Sequence, residues 1–72
     1  MKQVSSTELI NFLKTKGYCL HHSKGSHFVL INPNISRIVV PFRNELPIGT
    51  ILAILRESKI SKEEYLMFFS RK

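Results

Sequence analysis

Hydrophobic residues recur at helical spacing near the start of the chain. The first stripe consists of Leu9, Ile10, Phe12 and Leu13. It follows Ser5 and Glu8, which have the three-residue spacing of a capping box, where a serine and a glutamate each bond the other's backbone N–H. Gly17 suits the left-handed residue that ends many helices. The pattern therefore predicts a helix over residues 5–16.

Two further helices are predicted in the second half of the chain. The spacing i, i+3, i+4, i+7 predicts a core-facing stripe of Ile48, Ile51, Leu52 and Leu55. Pro47 precedes this stripe and fits the first turn of a helix. Ser61 and Glu64 form a second capping box, which predicts a short C-terminal helix. That helix carries Tyr65, Leu66, Phe68 and Phe69. Helical spacing assigns its two phenylalanines to the core.

Between these helices the pattern is typical of short strands. Strands are predicted over Tyr18–His22, His27–Asn32 and Ser36–Val40. Turn residues at 24–25 and 32–34 separate them, which indicates a three-stranded antiparallel meander. Residues 42–46 are expected to form a loop in which Phe42 anchors against the core. The order α-β-β-β-α plus a short C-terminal helix indicates an α+β fold. Both main helices are expected on one face of the sheet, as in a double-stranded-RNA-binding-domain-like fold.

The register of the first hairpin decides which histidines share a face, because a slip of one residue turns every side chain over. A three-residue loop over 23–25 is favoured, since Gly25 suits its left-handed last position. It places His21 opposite His27 and His22 opposite Ser26. A two-residue loop over 24–25 would instead pair His22 with His27. The favoured register assigns to the core face Tyr18, Leu20, Phe28 and Leu30. It assigns to the opposite face His21, His27, Cys19, Val29 and Ile31.

The composition narrows the class of protein. The 72 residues have a mass of 8.3 kDa and 43% are apolar, which suits one small core, so we expect a single domain over 1–72. Cys19 is the sole cysteine, which excludes a disulfide framework and favours a buried or half-buried thiol. No apolar run approaches the roughly 18–20 residues that span a bilayer, and no secretion signal is recognisable. A soluble, cytoplasmic protein without a membrane partner is therefore expected.

The positive charge is uneven along the chain. The net charge is +6 and the pI is about 9.9. Residues 1–43 carry six basic residues against one glutamate, whereas residues 44–72 carry five against four. This excess favours a polyanion or an acidic partner that meets the first part of the chain. Charge alone leaves solubilisation of a small domain as an equal alternative.

Candidate chemistry centres on the histidines. His21, His22 and His27 lack a recognised zinc spacing, and no acid lies near them in the sequence, so we predict no metal site and no cofactor. His27 follows a glycine turn, beside Ser26 and Lys24, where it could move a proton near a phosphate held by the lysine. On the chemistry alone, a solvated strand histidine is the stronger interpretation of His27.

Four segments together resemble a known family. They are Gly17-Tyr18, Lys24-Gly25-Ser26-His27, Val39-Val40-Pro41 and residues 45–55, ELPIGTILAIL. This combination resembles the HicA (YcfA-like) family of mRNA interferase toxins from toxin–antitoxin pairs. The resemblance implies a double-stranded-RNA-binding-like fold and a metal-independent endoribonuclease that cleaves mRNA. It implies that His27 is the catalytic histidine and that Gly25 and Ser26 complete its motif. It also implies a HicB-type antitoxin as protein partner.

Contacts to RNA phosphate are expected from a wider set of residues around that motif. The candidates are Lys24, Gly25, Ser26, His21, His22, Arg37 and Arg43. His21 is the candidate second proton-transfer group, because the favoured register places it on the face of His27. The chain departs from the family pattern at His22, where many members have arginine. It departs again after Pro41, where many have a histidine and this chain has Phe42 and Arg43.

Two other functions are compatible with the same residues. A non-catalytic RNA-binding module would use the basic residues to contact phosphates and 2′-hydroxyls without cleavage. A protein-interaction module would use Val29, Ile31 and Val39, if these form an apolar patch on the sheet face away from the helices. In a toxin this patch is a candidate antitoxin contact. The alternative is that it packs under the C-terminal helix.

Overall fold

Within residues 3–70, three helices and three strands follow one another in the predicted order α-β-β-β-α, with a further helix at the end. The computed structural model describes residues 3–70, so positions 1, 2, 71 and 72 of the expected domain lie outside the described residues. The elements are α1 (Ser6–Lys14), β1 (Cys19–Lys24), β2 (His27–Asn32), β3 (Ser36–Pro41), α2 (Ile48–Ser58) and α3 (Lys62–Ser70). The predicted α+β fold is confirmed.

Both predicted capping boxes are present at the starts of helices. Ser5 Oγ accepts a hydrogen bond from the Glu8 backbone N–H at 3.1 Å, and the Glu8 carboxylate accepts one from the Ser5 N–H at 2.9 Å. Ser61 and Glu64 repeat the arrangement at 3.1 and 3.0 Å before α3. These reciprocal bonds satisfy N–H groups that the first helical turn leaves without partners, so α1 and α3 begin where the sequence predicts.

Gly17 connects α1 to the sheet in a conformation that favours glycine. Its φ is +94°, and a Cβ placed on it would lie 2.8 Å from Nδ2 of Asn32. That amide is buried and donates to the Lys16 carbonyl at 3.2 Å. The absence of a side chain at position 17 therefore allows β2 to approach the end of α1 closely.

The sheet has the order β1-β2-β3 with antiparallel neighbours. Leu30 of β2 pairs with Ile38 of β3, and both side chains are fully buried. They belong to one core cluster together with buried residues of all three helices, including Leu13, Ile51 and Tyr65. All helices therefore contribute to the core on one face of the sheet, which is called the inner face below. The opposite face is called the outer face.

The predicted register of the first hairpin is wrong. Lys24 pairs with His27 across a two-residue turn of Gly25 and Ser26, and His22 pairs with Val29. The register shifts between Leu20 and His22, because His21 is an extra residue in a β-bulge. Neither pairing considered for His27, with His21 or with His22, is present. The turn begins at Gly25, two residues later than the favoured loop over 23–25 and one residue later than the alternative over 24–25.

Several predicted core residues are also corrected by the packing. On β1, an edge strand whose residues are all exposed, Cys19 is accessible and Leu20 is 43% exposed. On α2, Leu52 is exposed and Ile54 is buried instead, since the helix is apolar on more than one side. On α3, Phe68 is 40% exposed, because it covers the edge of the core.

α3 packs against α1 through one central aromatic ring. The ring of Phe12 is fully buried and lies 4.9–6.0 Å, between centroids, from the rings of Tyr65, Phe68 and Phe69. Burial raises the pKa of the Tyr65 hydroxyl, and the negative charge of Glu8 adds to the increase. The aromatic cluster therefore supplies most of the apolar contact between the two helices.

An ion pair between Lys16, which follows α1, and Glu64 of α3 makes stability depend on pH. The hydrogen bond from Lys16 Nζ, 2.8 Å long, lowers the pKa of Glu64 below its ordinary value of 4.5, and the Ser61 N–H lowers it further. Because the folded pKa is the lower one, the charged form stabilises the fold above pH 4.5, and this contribution disappears as the pH falls through the folded pKa. We expect wild type to exceed Glu64→Gln in stability at pH 7 and this advantage to shrink as the pH falls to 3.

Urea unfolding of both proteins between pH 7 and pH 3 measures this difference. Glutamine still accepts the Ser61 hydrogen bond, so the capping box is retained and mainly the charge is removed. Glu63→Gln removes a neighbouring exposed charge and serves as the control. A difference between wild type and Glu64→Gln that stays constant with pH would contradict the prediction.

Candidate active site

His27 is the first residue of β2 and directly follows the hairpin turn. Gly25 has φ +59°, which fits the first position of a type II′ turn, where glycine is favoured. Nothing lies within 4 Å of a Cβ placed on Gly25, so the space beside the turn is open. Lys24 lies directly opposite His27 across the turn. The turn therefore presents a lysine and a histidine from adjacent positions of two strands.

The loop after β3 forms a wall beside this turn. The backbone N–H of Phe42 donates to the carbonyl of Ser26 at 2.6 Å, which continues the pairing of His27 with Pro41. Ser6 holds the next residue, since its N–H and hydroxyl donate to the Arg43 carbonyl at 2.9 and 3.2 Å. The Arg43 N–H donates back to Ser6 Oγ at 3.2 Å. The start of α1 thereby fixes the backbone of this wall.

Turn and loop enclose a surface pocket of about 520 Å³. Its lining residues are Ser26, His27, Pro41, Phe42, Arg43 and Asn44. His27 is exposed, and within residues 3–70 no hydrogen bond or ion pair engages its ring. Both ring nitrogens are therefore accessible to a ligand. In the same part of the chain, neither Lys24 nor Arg43 forms an ion pair, so their charges are not neutralised by a neighbouring carboxylate.

The β-bulge brings the other two histidines together. Nδ1 of His21 lies 2.9 Å from Nδ1 of His22, and both side chains are exposed. In a regular strand adjacent side chains point to opposite faces, so this contact depends on the extra residue. A hydrogen bond at this contact needs one Nδ1 to carry a hydrogen and the other to accept it. His22 lies on the outer face and is the diagonal neighbour of His27.

The predicted phosphate contacts are brought together only in part. Lys24, Gly25, Ser26 and Arg43 surround His27. Arg37 is opposite Ile31, four residues along β2 from His27, which is about 13 Å at the usual rise of a strand. Arg37 is therefore not part of the His27 pocket. Asn44, by contrast, lines the pocket although it was not among the predicted site residues. The sequence feature that indicated it was its position in the polar loop after Pro41.

Phe42 does not cap the core as predicted. It is 57% exposed, and its ring contacts the half-buried ring of Phe28 at 5.9 Å between centroids with an interplanar angle of 58°. The remainder of the ring lines the pocket beside Arg43. The loop is anchored by backbone hydrogen bonds, so the phenylalanine side chain is not required for that purpose.

An apolar patch lies on the outer face next to this site. Val29 pairs with Val39, and Ile31 is the next outer-face residue of β2. Val39 is 43% exposed and Ile31 is partly exposed, whereas Val29 is buried between its neighbours. α3 packs on Phe12 of α1, so the predicted alternative, in which the C-terminal helix covers the patch, is wrong.

The described residues contain neither a candidate metal site nor a membrane-spanning helix. Residues 3–70 contain no group of three or more histidine, cysteine or acidic side chains that could hold a metal. Within the same residues, each helix is too short or too polar to cross a bilayer.

The fold and site define a class of small α+β proteins. They have an open three-stranded sheet, and a histidine begins the middle strand directly after a glycine turn. A family model described as the HicA toxin of bacterial toxin–antitoxin systems matches residues 6–60. The match covers most of the 72 residues, so this chain belongs to the HicA toxin family. Membership of a toxin–antitoxin family implies an antitoxin partner. No curated protein matches the sequence.

Proposed function

We propose that this chain is an mRNA interferase, an endoribonuclease that uses His27 for proton transfer and needs no metal ion. The supporting observation is the His27 ring, which is exposed in the pocket and free of partners within residues 3–70, with Arg43 in the same lining and Lys24 directly opposite. An imidazole titrates near neutral pH, so it can accept and return a proton under cellular conditions.

The proposed reaction is transesterification within the RNA backbone. Neutral His27 accepts the proton of a ribose 2′-hydroxyl, and the 2′-oxygen forms a bond to the adjacent phosphorus. The bond from phosphorus to the 5′-oxygen of the next nucleotide breaks, and that oxygen takes a proton. The products are a 2′,3′-cyclic phosphate and a free 5′-hydroxyl. Lys24 and Arg43 offset the charge that develops on the phosphate oxygens.

The protonated partner for the leaving oxygen is the His21–His22 pair. His21 was the expected second group, but His22 is the member that shares the outer face with His27. Diagonal neighbours in an antiparallel pair are about 7–8 Å apart, a separation that two long side chains can bridge through a substrate between them. Because Nδ1 of His22 contacts His21, the leaving oxygen takes its proton from Nε2 of a protonated His22, which becomes neutral.

The proposed antitoxin is of the HicB type and binds the outer face. Val39 and Ile31 expose apolar surface on the outer face, which is also the face of His27. An exposed apolar patch is typical of a protein-binding surface. A partner seated there would cover the approach to His27 and neutralise the toxin. Because mRNA is the proposed substrate, the cytoplasm is the proposed site of action.

Cleavage by the purified protein tests this function. We expect single-stranded RNA to be cut at an unchanged rate in the presence of excess divalent-metal chelator. The new ends should be 2′,3′-cyclic phosphates and 5′-hydroxyls, identified by mass spectrometry. RNA in which every 2′-hydroxyl is replaced by hydrogen serves as the control and should stay intact. Salt-sensitive RNA binding without any product would indicate a non-catalytic RNA-binding module instead.

A further inference from the structure

Phe42 is an exposed aromatic residue in an unusual position. Other exposed hydrophobic side chains, such as Leu52 and Met67, lie on helices away from the pocket, and single exposed residues of that kind are common. Phe42 instead lines the pocket that contains His27 and Arg43. The loop does not need the Phe42 side chain as an anchor, because backbone hydrogen bonds already hold it. Phe42 therefore presents an aromatic face where a ligand of His27 and Arg43 would lie.

The orientation of Phe42 is set before any ligand binds. Its backbone N–H is bonded to the Ser26 carbonyl at 2.6 Å, and its ring rests against Phe28 at an interplanar angle of 58°. The following residue, Arg43, is held at both its N–H and its carbonyl by Ser6. A pre-oriented aromatic ring binds a flat partner with less loss of conformational entropy than a mobile one.

We propose that Phe42 is a stacking platform for one unpaired base of the RNA, a subsite that rests on the ribonuclease function proposed above. Every base has a flat aromatic face, and stacking on an aromatic side chain is a common means of holding single-stranded nucleic acid. Arg43 contacts the phosphate of the stacked nucleotide, and His27 faces its ribose. A pocket of about 520 Å³ lies within the range of roughly 300–1,000 Å³ that holds small organic ligands, so one nucleotide fits.

This subsite defines the substrate class as single-stranded RNA. In an A-form duplex each base is already stacked between its neighbours, so its face is unavailable to Phe42. Stacking tolerates different bases, because it depends on the aromatic face rather than on hydrogen bonds. The subsite therefore selects unpaired over paired RNA more strongly than it selects one base over another.

Binding of an RNA that cannot be cleaved tests the subsite. The probe is a fluorescently labelled single-stranded oligoribonucleotide with 2′-fluoro groups in place of 2′-hydroxyls. We expect Phe42→Ala to weaken binding roughly 5- to 150-fold, in line with the usual contribution of one base stacked on an aromatic side chain. Phe42→Leu should lose a similar amount, because it retains apolar bulk without an aromatic face, whereas Phe42→Trp should bind as wild type does.

Three controls separate stacking from other roles. Phe68→Ala removes an exposed phenylalanine that contacts other rings but lies on α3, and it should bind RNA normally. A backbone of the same length without bases should bind wild type weakly and should not distinguish wild type from Phe42→Ala. A duplex of the same sequence should not distinguish them either. Circular dichroism checks that each variant is folded.

The outcomes distinguish this inference from the function on which it rests. Unchanged RNA binding by both Phe42→Ala and Phe42→Leu would overturn the subsite but leave cleavage by His27 in place. Equal losses for the intact and base-free probes would also overturn it. Loss of antitoxin binding alone would identify Phe42 as a protein contact instead. Since the probe lacks 2′-hydroxyls, Phe42-dependent binding would support the subsite even if no RNA cleavage were detected.

Discussion

Replacing His27 with alanine is expected to slow RNA cleavage roughly 10²- to 10⁴-fold, the usual contribution of a general acid–base side chain. The imidazole is the group in the pocket that can accept the 2′-hydroxyl proton, while Lys24 and Arg43 supply charge. Because His27 is exposed and engages no partner in residues 3–70, its removal should leave the fold intact. Cleavage rates of purified proteins on the same single-stranded RNA measure the effect.

The other histidines provide the comparison for this variant. His22→Ala should also slow cleavage, but less than His27→Ala, because water can replace a proton donor to the leaving oxygen. Induction of each variant in bacterial cells gives a second measurement, and His27→Ala should permit growth while wild type arrests it. Equal growth arrest and equal mRNA loss with wild type and His27→Ala would exclude the proposed role of this residue.

Replacing Phe12 with alanine is expected to remove a large share of the stability of the fold. Truncation of a buried phenylalanine costs about 3–5 kcal/mol. A domain of 72 residues has a total stability of roughly 4–11 kcal/mol. Phe12 is fully buried and lies at the centre of three ring contacts with α3, so nothing else can fill its space. Thermal unfolding followed by circular dichroism should show a midpoint lower by about 12 °C or more.

Two variants show whether the loss comes from packing at this position. Phe12→Leu keeps most of the apolar volume and should lose less than half as much stability. Leu66→Ala alters an exposed residue of α3 and should change the midpoint little. If Phe12→Ala and Leu66→Ala had the same midpoint, α3 would contribute no stability through this contact.

The family match ends at residue 60, so α3 lies beyond the matched span.

The features that were predicted correctly are those encoded by residues close together in the chain. Ser5 with Glu8, and Ser61 with Glu64, need only a three-residue spacing and a helical backbone to form their hydrogen bonds. A glycine at position 17 predicts a left-handed backbone there, because other residues adopt that conformation only at an energetic cost. The element order followed from such local signals together with the change of hydrophobic period.

The hairpin register was not predictable from the same kind of signal. Gly25 fits the last position of a three-residue loop and the first position of a two-residue type II′ turn equally well. The observed turn is accompanied by a bulge at His21, beyond which Leu20 pairs with Leu30. Leu30 is in turn buried against Ile38 of β3. This arrangement involves three strands at once, and the residues of the first hairpin alone do not contain it.

The exposure of individual apolar residues also depends on tertiary packing. Ile54 and Leu52 have similar hydrophobicity and lie two positions apart, and only the placement of α2 against β3 decides which is buried. Phe42 was assigned to the core because large aromatic residues are usually buried, whereas backbone hydrogen bonds to Ser6 and Ser26 hold its loop. The pocket therefore depends on contacts between residues about 16 and 37 positions apart in the chain.

The extra residue in β1 affects how related sequences should be compared. His21 has no partner on β2, so a chain without it would still pair Cys19 with Ile31 and Lys24 with His27. A relative that is one residue shorter in this strand should therefore be aligned with its gap at position 21. A gap at any other position of the strand would align residues that lie on opposite faces of the sheet. Pairing with β2 consequently restricts which residues fit the other positions of the strand, but not position 21.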